Sequence, residues 1–197
     1  QDREIPRVIL DCCGQEAKYD PFYVNLGKQL CELNRQFKTT FQYAFWDTIN
    51  QVKLLTWFFY TPVFSRKIWQ AEDLPERRLV NLARFLGSLI CSFHVSLSVF
   101  KIVDIAALRS KGVLLIATCL MSIFSSRVPE DTFRSVLDRV AATSDHRVVR
   151  DTLTLFLQKY LPEIPEGLDE DERKVMHKRR KAMIRVFEDM SVLDMAS

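Results

Sequence analysis

Apolar residues recur by threes and fours along much of this chain. Leu79, Leu82, Leu86, Leu89 and Phe93 mark one side of a helix that follows Pro75. Phe22, Leu26, Leu30 and Leu33 form a second stripe behind Asp20-Pro21, a dipeptide suited to an N-cap and first helical position. Upstream, Ile5, Val8, Ile9 and Cys12 give the apolar side of an earlier helix, with Gly14 near its C-terminus and the cysteines of DCC set toward the core or its margin. Downstream, Pro129-Glu130-Asp131 opens a helix whose inner residues are Phe133, Val136, Leu137 and Val140, with acidic groups at the positive end of its dipole. Ser144 or Asp145 starts the next, with Val149, Leu153, Phe156, Leu157 and Tyr160 inward. The run VLLIATCLMSIF, residues 113–124, is bounded by Lys111 and Arg127. It falls short of the roughly 20 residues that cross a bilayer, so it predicts a buried helix and no membrane partner. Short connections between helices of this kind predict consecutive antiparallel pairs stacked into a divergent α-solenoid, since no single hairpin buries its apolar face alone.

Composition agrees with an all-α chain. Among 197 residues 48% are hydrophobic and 27% charged, and only 5 Gly and 7 Pro are available to break helices. The chain begins with Gln1 and not Met, which favours a piece of a longer polypeptide. A net charge of +3 is too small for bulk attraction to nucleic acid, so any such contact must come from local clustering.

Candidate chemistry is sparse. Five cysteines, an odd number, argue against a disulfide framework. Neither C-x₂₋₄-C nor H-x₃₋₅-H spacing occurs, and His94, His146 and His177 stand far apart, which disfavours a metal site. A Cys–His pair assembled in space is the remaining enzymatic alternative, for which Cys12 and Cys13 would be the test residues. Phosphate loops, metalloprotease helices and nucleophile elbows are not found. These observations favour a non-enzymatic binding module with no cofactor and no small-molecule substrate.

Beyond Pro165 the segment LDEDERKVMHKRRKAMIRVFEDM opens with Asp169 and Glu172 in capping-box spacing. At about 100° per residue, Lys174, Lys178, Lys181 and Arg185 share one face, flanked by Arg179 and Arg180. Met176, Met183, Phe187 and Met190 share the other. The apolar stripe fits the preceding hairpin or a partner. The basic stripe is either an RNA contact or a solvated face balanced by groups such as Glu170, four residues before Lys174. Residues 1–165 therefore read as one helical domain and 166–197 as a basic amphipathic helical extension.

Residues 51–72, QVKLLTWFFYTPVFSRKIWQAE, break the pattern by crowding Trp57, Phe58, Phe59, Tyr60, Phe64 and Trp69 together without a helical stripe. Three readings stay open: an aromatic insertion that docks on a partner through Trp57, Phe58, Phe59 and Trp69, an insertion packed over the domain's own core, or a translated non-coding segment.

The stretches REIPRVILDCCGQEAKYDPFYVNLGKQLC, FKTTFQYAFWD and LPERRLVNLARFLGSLI resemble successive helices of an MA-3 domain, a module of HEAT-like helical hairpins. The resemblance covers residues 1 to about 162, with one interruption, and places the first helix of the usual domain before Gln1. Two branches share the DCC and Y-x-x-F/Y signature, a splicing factor and a nucleolar protein of small-subunit assembly, each pairing MA-3 with a middle domain of the initiation-factor-4G type. REIPRV, DCCGQE, YDPFY and FQYAFWD resemble the nucleolar branch more closely. The resemblance implies a non-catalytic scaffold in the nucleolus, working with pre-ribosomal proteins, small-subunit pre-rRNA and a DEAD-box RNA helicase of the initiation-factor-4A class.

Overall fold

The computed structural model describes residues 4–53, 74–141, 146–161, 164 and 168–196. Among these there are α-helices and a short 3₁₀ segment, and no strand. The helices are α1 (Glu4–Gln15), α2 (Pro21–Leu33), α3 (Gln36–Lys53), α4 (Glu76–Cys91), α5 (Ser110–Phe124), α6 (Glu130–Ala141), α7 (Arg147–Lys159) and α8 (Glu170–Ala196), with the 3₁₀ segment Leu97–Ile102 after α4. The all-α, MA-3-type helical array expected from the sequence is therefore the observed architecture.

The centre of the array is α4. It buries Leu79, Asn81, Leu82, Ala83, Phe85, Leu86, Gly87, Leu89 and Ile90, and it packs against α1, α2, α5 and α6. Its longest seam is with α5, the apolar run of the sequence, which buries Leu115, Ile116, Cys119, Leu120, Ile123 and Phe124. At Gly87 the two helices are so close that a Cβ would stand 2.9 Å from the Ser122 Cβ and 3.1 Å from the Cys119 carbonyl oxygen. None of the described helices is long and apolar enough to cross a membrane.

On two helices the most deeply buried residues are not the largest ones. On α2, Val24, Gly27 and Cys31 are buried, Leu26 and Leu30 of the expected stripe pack at the core's margin, and Phe22 is 62% and Leu33 81% exposed. The reason is volume. A Cβ on Gly27 would stand 2.9 Å from the Phe85 ring and 3.3 Å from the Phe41 ring, so neighbouring aromatics already fill the space and only small residues fit beneath. On α1 the inner face is Pro6, Ile9, Leu10, Cys13 and Gly14, with Ile5, Val8 and Cys12 outside. The N-cap of α2 is the one its sequence predicts: the Phe22 amide donates to the Asp20 carboxylate at 2.8 Å.

The DCCGQE motif docks α1 onto α4. Asp11 pairs with Arg78, and the Asn81 amide donates to the carbonyls of Cys13 and Glu16 at 3.1 and 3.0 Å, closing the end of α1. The Glu16 side chain accepts from the Tyr23 hydroxyl at 2.6 Å. FQYAFWD does the same for α3: Phe41 and Phe45 are fully buried against Phe85, and the Trp46 indole donates to the Val99 carbonyl at 2.9 Å.

Phe93 does not extend the α4 stripe. The helix ends at Cys91, and Phe93 turns to a left-handed φ of 62°. Its amide donates to the Ile90 carbonyl and that of His94 to Leu89, the two bonds of a Schellman closure in which glycine is the usual residue. The left-handed backbone costs Phe on the order of 1 kcal/mol, offset by the Arg139 guanidinium lying 4.2 Å over its ring.

The α6 and α7 faces follow the sequence, with Phe133, Val136, Leu137, Val140, Val149, Leu153, Phe156 and Leu157 buried and Tyr160 packed at the margin. The start expected at Ser144 or Asp145 lies outside the described residues. Met176, Met183 and Phe187 of α8 join the same core cluster, and α8 packs against α5, α6 and α7.

Candidate nucleic-acid interface

The first turn of α8 carries Glu170, Asp171 and Glu172, which suit the positive end of the helix dipole. The capping box expected there is not the role that Glu172 plays. Its carboxylate reaches instead to the loop after α5, accepting from the Ser126 amide at 3.1 Å and from the Ser126 hydroxyl. The Ser126 bond, helped by Ser125 and Arg127, holds the Glu172 carboxyl below the usual carboxylate range.

With the Met176, Met183 and Phe187 face turned into the core, the opposite side of α8 is committed to solvent. Lys174, Lys178, Lys181 and Arg185 are all exposed there. Lys174 lies 3.5 Å from Glu170 and 3.9 Å from Asp171, and Arg185 3.9 Å from Asp189. Such exposed pairs contribute roughly 0–1 kcal/mol and give way readily to a better anion. Lys178 and Lys181 make no ion pair among the described residues.

Arg179 and Arg180, expected to flank this stripe, are turned away from it. Arg179 is 5% exposed and donates to the Ser125 carbonyl at 2.6 Å, the Val128 carbonyl at 2.8 Å and the Glu130 carboxylate at 3.1 Å, with its guanidinium 5.1 Å over the Phe133 ring. Partial burial works against the charge on Glu130, but Arg179 outweighs it and the carboxyl stays below its ordinary pKa. Arg180 donates to the carbonyls of Leu161 at 2.6 Å and Leu157 at 3.2 Å, closing the C-terminal end of α7. These carbonyls take the donors that phosphates would need. The basic run of the sequence is thus two functions interleaved: Lys178 and Lys181 point outward, and the arginines between them fasten α8 to the array.

The structure also assembles a cationic groove that sequence spacing could not reveal. Lys28 of α2, Ser88, Cys91 and Ser92 of α4, Ser122 of α5, and Arg127, Val128, Pro129 and Thr132 at the start of α6 line one open groove. No carboxylate belongs to its lining, and neither Lys28 nor Arg127 makes an ion pair among the described residues. Lys28 and Arg127 are about a hundred residues apart in the chain, so only the packing of α4 on α5 at Gly87 brings them together.

No group of three or more metal-ligating side chains occurs among the described residues. Burial pushes the Cys13, Cys31 and Cys91 thiols up to about 11, which disfavours the thiolate at those three positions, while Cys12 is exposed on the outer side of α1. Trp57, Phe58, Phe59 and Trp69 lie outside the described residues. Of the 51–72 segment, residues 51–53 complete α3.

The helical array and the DCCGQE dock define a module of packed helices. Residues 1–95 match the MA3 domain model, and the chain belongs to the MA3 domain family. It is 30% identical over 161 residues to Nucleolar MIF4G domain-containing protein 1 of Homo sapiens, covering 82% of this chain and 16% of that protein. It is 31% identical over 108 residues to Suppressor of glycerol defect protein 1 of Schizosaccharomyces pombe, covering 55% and 12%. It is also 31% identical over 99 residues to Pre-mRNA-splicing factor CWC22 of Mycosarcoma maydis, covering 49% and 9%. The chain thus spans about a sixth of the length of the nucleolar relative it matches over most of its own length. No solved structure matches the chain significantly.

Proposed function

We propose that this chain is a non-catalytic scaffold module of nucleolar small-subunit ribosome biogenesis, part of a protein that partners a DEAD-box RNA helicase of the initiation-factor-4A class and touches small-subunit pre-rRNA through α8. The observation that carries the reading is similarity across 82% of the chain to a protein whose name places it in the nucleolus. Open lysines on the outer face of α8 supply a surface on which RNA phosphates would replace weak intrahelical pairs.

The experiment is affinity purification of the full protein with and without nuclease. Recovery of small-subunit rRNA precursors, assembly factors and a DEAD-box helicase is expected. A second reading, a spliceosomal scaffold, is favoured by the similarity to CWC22, which extends over half of the chain. Recovery of spliceosomal RNAs in place of rRNA precursors would overturn the nucleolar reading in its favour. For the α8 surface, Lys178→Glu with Lys181→Glu and Arg185→Glu should weaken RNA crosslinking and flatten its salt dependence. Unchanged crosslinking would reduce the stripe to a solvated face.

A further inference from the structure

The groove between α2, α4, α5 and α6 is built differently from the rest of the surface. Two cations line it, Lys28 on α2 and Arg127 on the loop before α6, together with side-chain hydroxyls. Two of those hydroxyls have their hydrogens engaged: Ser92 donates to the Ser88 carbonyl at 2.9 Å, and Ser122 to the Thr118 carbonyl at 2.8 Å. What Ser92 and Ser122 offer a ligand is therefore lone pairs. A ligand complementary to this groove carries negative charge for Lys28 and Arg127 and hydroxyl donors for the two serines, at intervals along an extended chain. A ribose-phosphate backbone has both groups in every unit, because the 2′-hydroxyl donates and the phosphate is anionic. An acidic peptide supplies the charge and can donate through its backbone N–H groups, so it is the competitor the test includes; the strand is favoured because charge and hydroxyl donor recur together in each of its units.

The groove is linked to α8 through the loop that carries Arg127, which is fastened by Arg179 and Glu172. Arg127 is near enough to Glu172, and Lys178 to Glu130, for each cation to act electrostatically on the carboxylate. Arg127 and Lys178 are thus both close to the clamp that Arg179, Glu130 and Glu172 form.

We propose that the groove is a second binding site for single-stranded RNA, with Lys28 and Arg127 contacting phosphates and Ser92 and Ser122 accepting from ribose hydroxyls, and that one strand runs from the α8 lysines over Arg127 into it. This rests on the RNA-contact reading of α8 but assigns different residues, so the two can fail separately.

The test measures binding of the full chain to a fluorescent single-stranded oligouridylate and to its deoxy counterpart across a salt series. Lys28→Ala with Arg127→Ala should lower the slope of log affinity against log salt by about 1.4, since each phosphate neutralised on a single strand accounts for about 0.7. The double variant Lys178→Ala with Lys181→Ala should lower it independently. The ribo-oligomer should bind more tightly than the deoxy-oligomer, and Ser92→Ala with Ser122→Ala should narrow that difference while leaving the slope unchanged. Circular dichroism and a urea midpoint matching the parent show that each variant is folded. An unchanged slope in the Lys28/Arg127 variant alone would overturn the groove and leave the α8 contact standing. Unchanged slopes in both would overturn the two readings together. Equal affinity for the ribo- and deoxy-oligomers, or displacement of RNA by a polyglutamate peptide at equal charge, would overturn the assignment to RNA.

Discussion

At the scale of single residues, two glycines show why the identity of the neighbouring atom decides the effect of a substitution. Gly14 and Gly87 both lie inside helices, where replacing Gly by Ala gains roughly 0.5–1 kcal/mol of backbone propensity. A Cβ on Gly14 would meet the Arg78 side chain, Cγ at 2.8 Å, and that side chain is long and reaches the surface to pair with Asp11. Relief there takes a new rotamer of the whole Arg78 side chain, which gives up the Asp11 pair but moves no backbone, a cost that the helix-propensity gain offsets. A Cβ on Gly87 meets the Ser122 Cβ and the Cys119 carbonyl, both rigidly attached to the backbone of α5. Overpacking of that kind costs about 1–3 kcal/mol. Gly14→Ala should therefore leave the urea midpoint within about 0.5 kcal/mol of the parent, while Gly87→Ala lowers stability by about 1–2 kcal/mol. The reverse order in urea titrations would show that α4 and α5 are not tightly apposed at Gly87. Gly87 also fixes the width of the cationic groove, so loss of RNA affinity should accompany loss of stability in that variant alone.

At the scale of elements, the closure of α4 joins that helix to α2 through His94. Its side chain is 10% exposed, with Nε2 3.8 Å from Glu32 and Nδ1 buried without a hydrogen-bond partner among the described residues. Burial lowers its pKa below the ordinary 6.5, Lys38 and Lys28 act in the same direction, and Glu32 opposes them. The unfolded chain then binds a proton at a pH where the folded chain does not, so stability rises with pH. The His94 contribution is complete above about 6.5 and is lost as the pH falls through the lower folded value. Urea midpoints measured from mildly acidic to neutral pH should fall on the acid side, and His94→Gln should flatten that stretch of the curve. A parent curve already flat there would mean that the imidazole is solvated. How far the elements could be read from sequence follows from the same packing. The inner faces of α4, α6 and α7 are lined with large aliphatic and aromatic residues, and periodicity locates them. On α1 and α2 the buried residues include Cys13, Gly14, Gly27 and Cys31, and the larger Phe22, Leu33 and Val8 stay outside. Reading hydrophobicity by size is half right there: Ile9, Leu26 and Leu30 do pack on the core, but the deepest positions go to small residues because the partner helices bring the bulk. The outward lysines of α8 were legible from helical spacing. Arg179 and Arg180 join them only by nearness in the chain, since at about 100° per residue both fall beside the Met176, Met183 and Phe187 side, which is where they are buried.

At the scale of the molecule, the place of α8 is the point on which sequence and packing pull apart. Composition shifts beyond residue 165, and the MA3 match ends at residue 95, so the last helix reads as an attachment. Its apolar side nevertheless contributes Met176 at 6%, Met183 at 0% and Phe187 at 0% exposure to the common core. Burial of three such side chains stabilises by about 5–9 kcal/mol, comparable with the roughly 5–15 kcal/mol net stability of a whole domain. Arg179 and Arg180 add hydrogen bonds to the loop before α6 and to the end of α7. A chain ending at residue 165 should therefore lose its cooperative thermal transition and bind a dye that reports exposed apolar surface, while the full chain unfolds in one step. Arg179→Met in the full chain separates the two contributions. It keeps the core side chains and removes the clamp, taking the guanidinium donor from the Val128 carbonyl and leaving the Ser125 carbonyl with only the Val128 amide, at a cost of about 1–3 kcal/mol. One weakened but still single transition is expected for that variant, followed by urea titration. If the 1–165 chain melts as sharply as the parent, α8 is an appendage. The basic stripe would then be carried on a mobile arm, free to meet RNA independently of the groove that Arg127 borders.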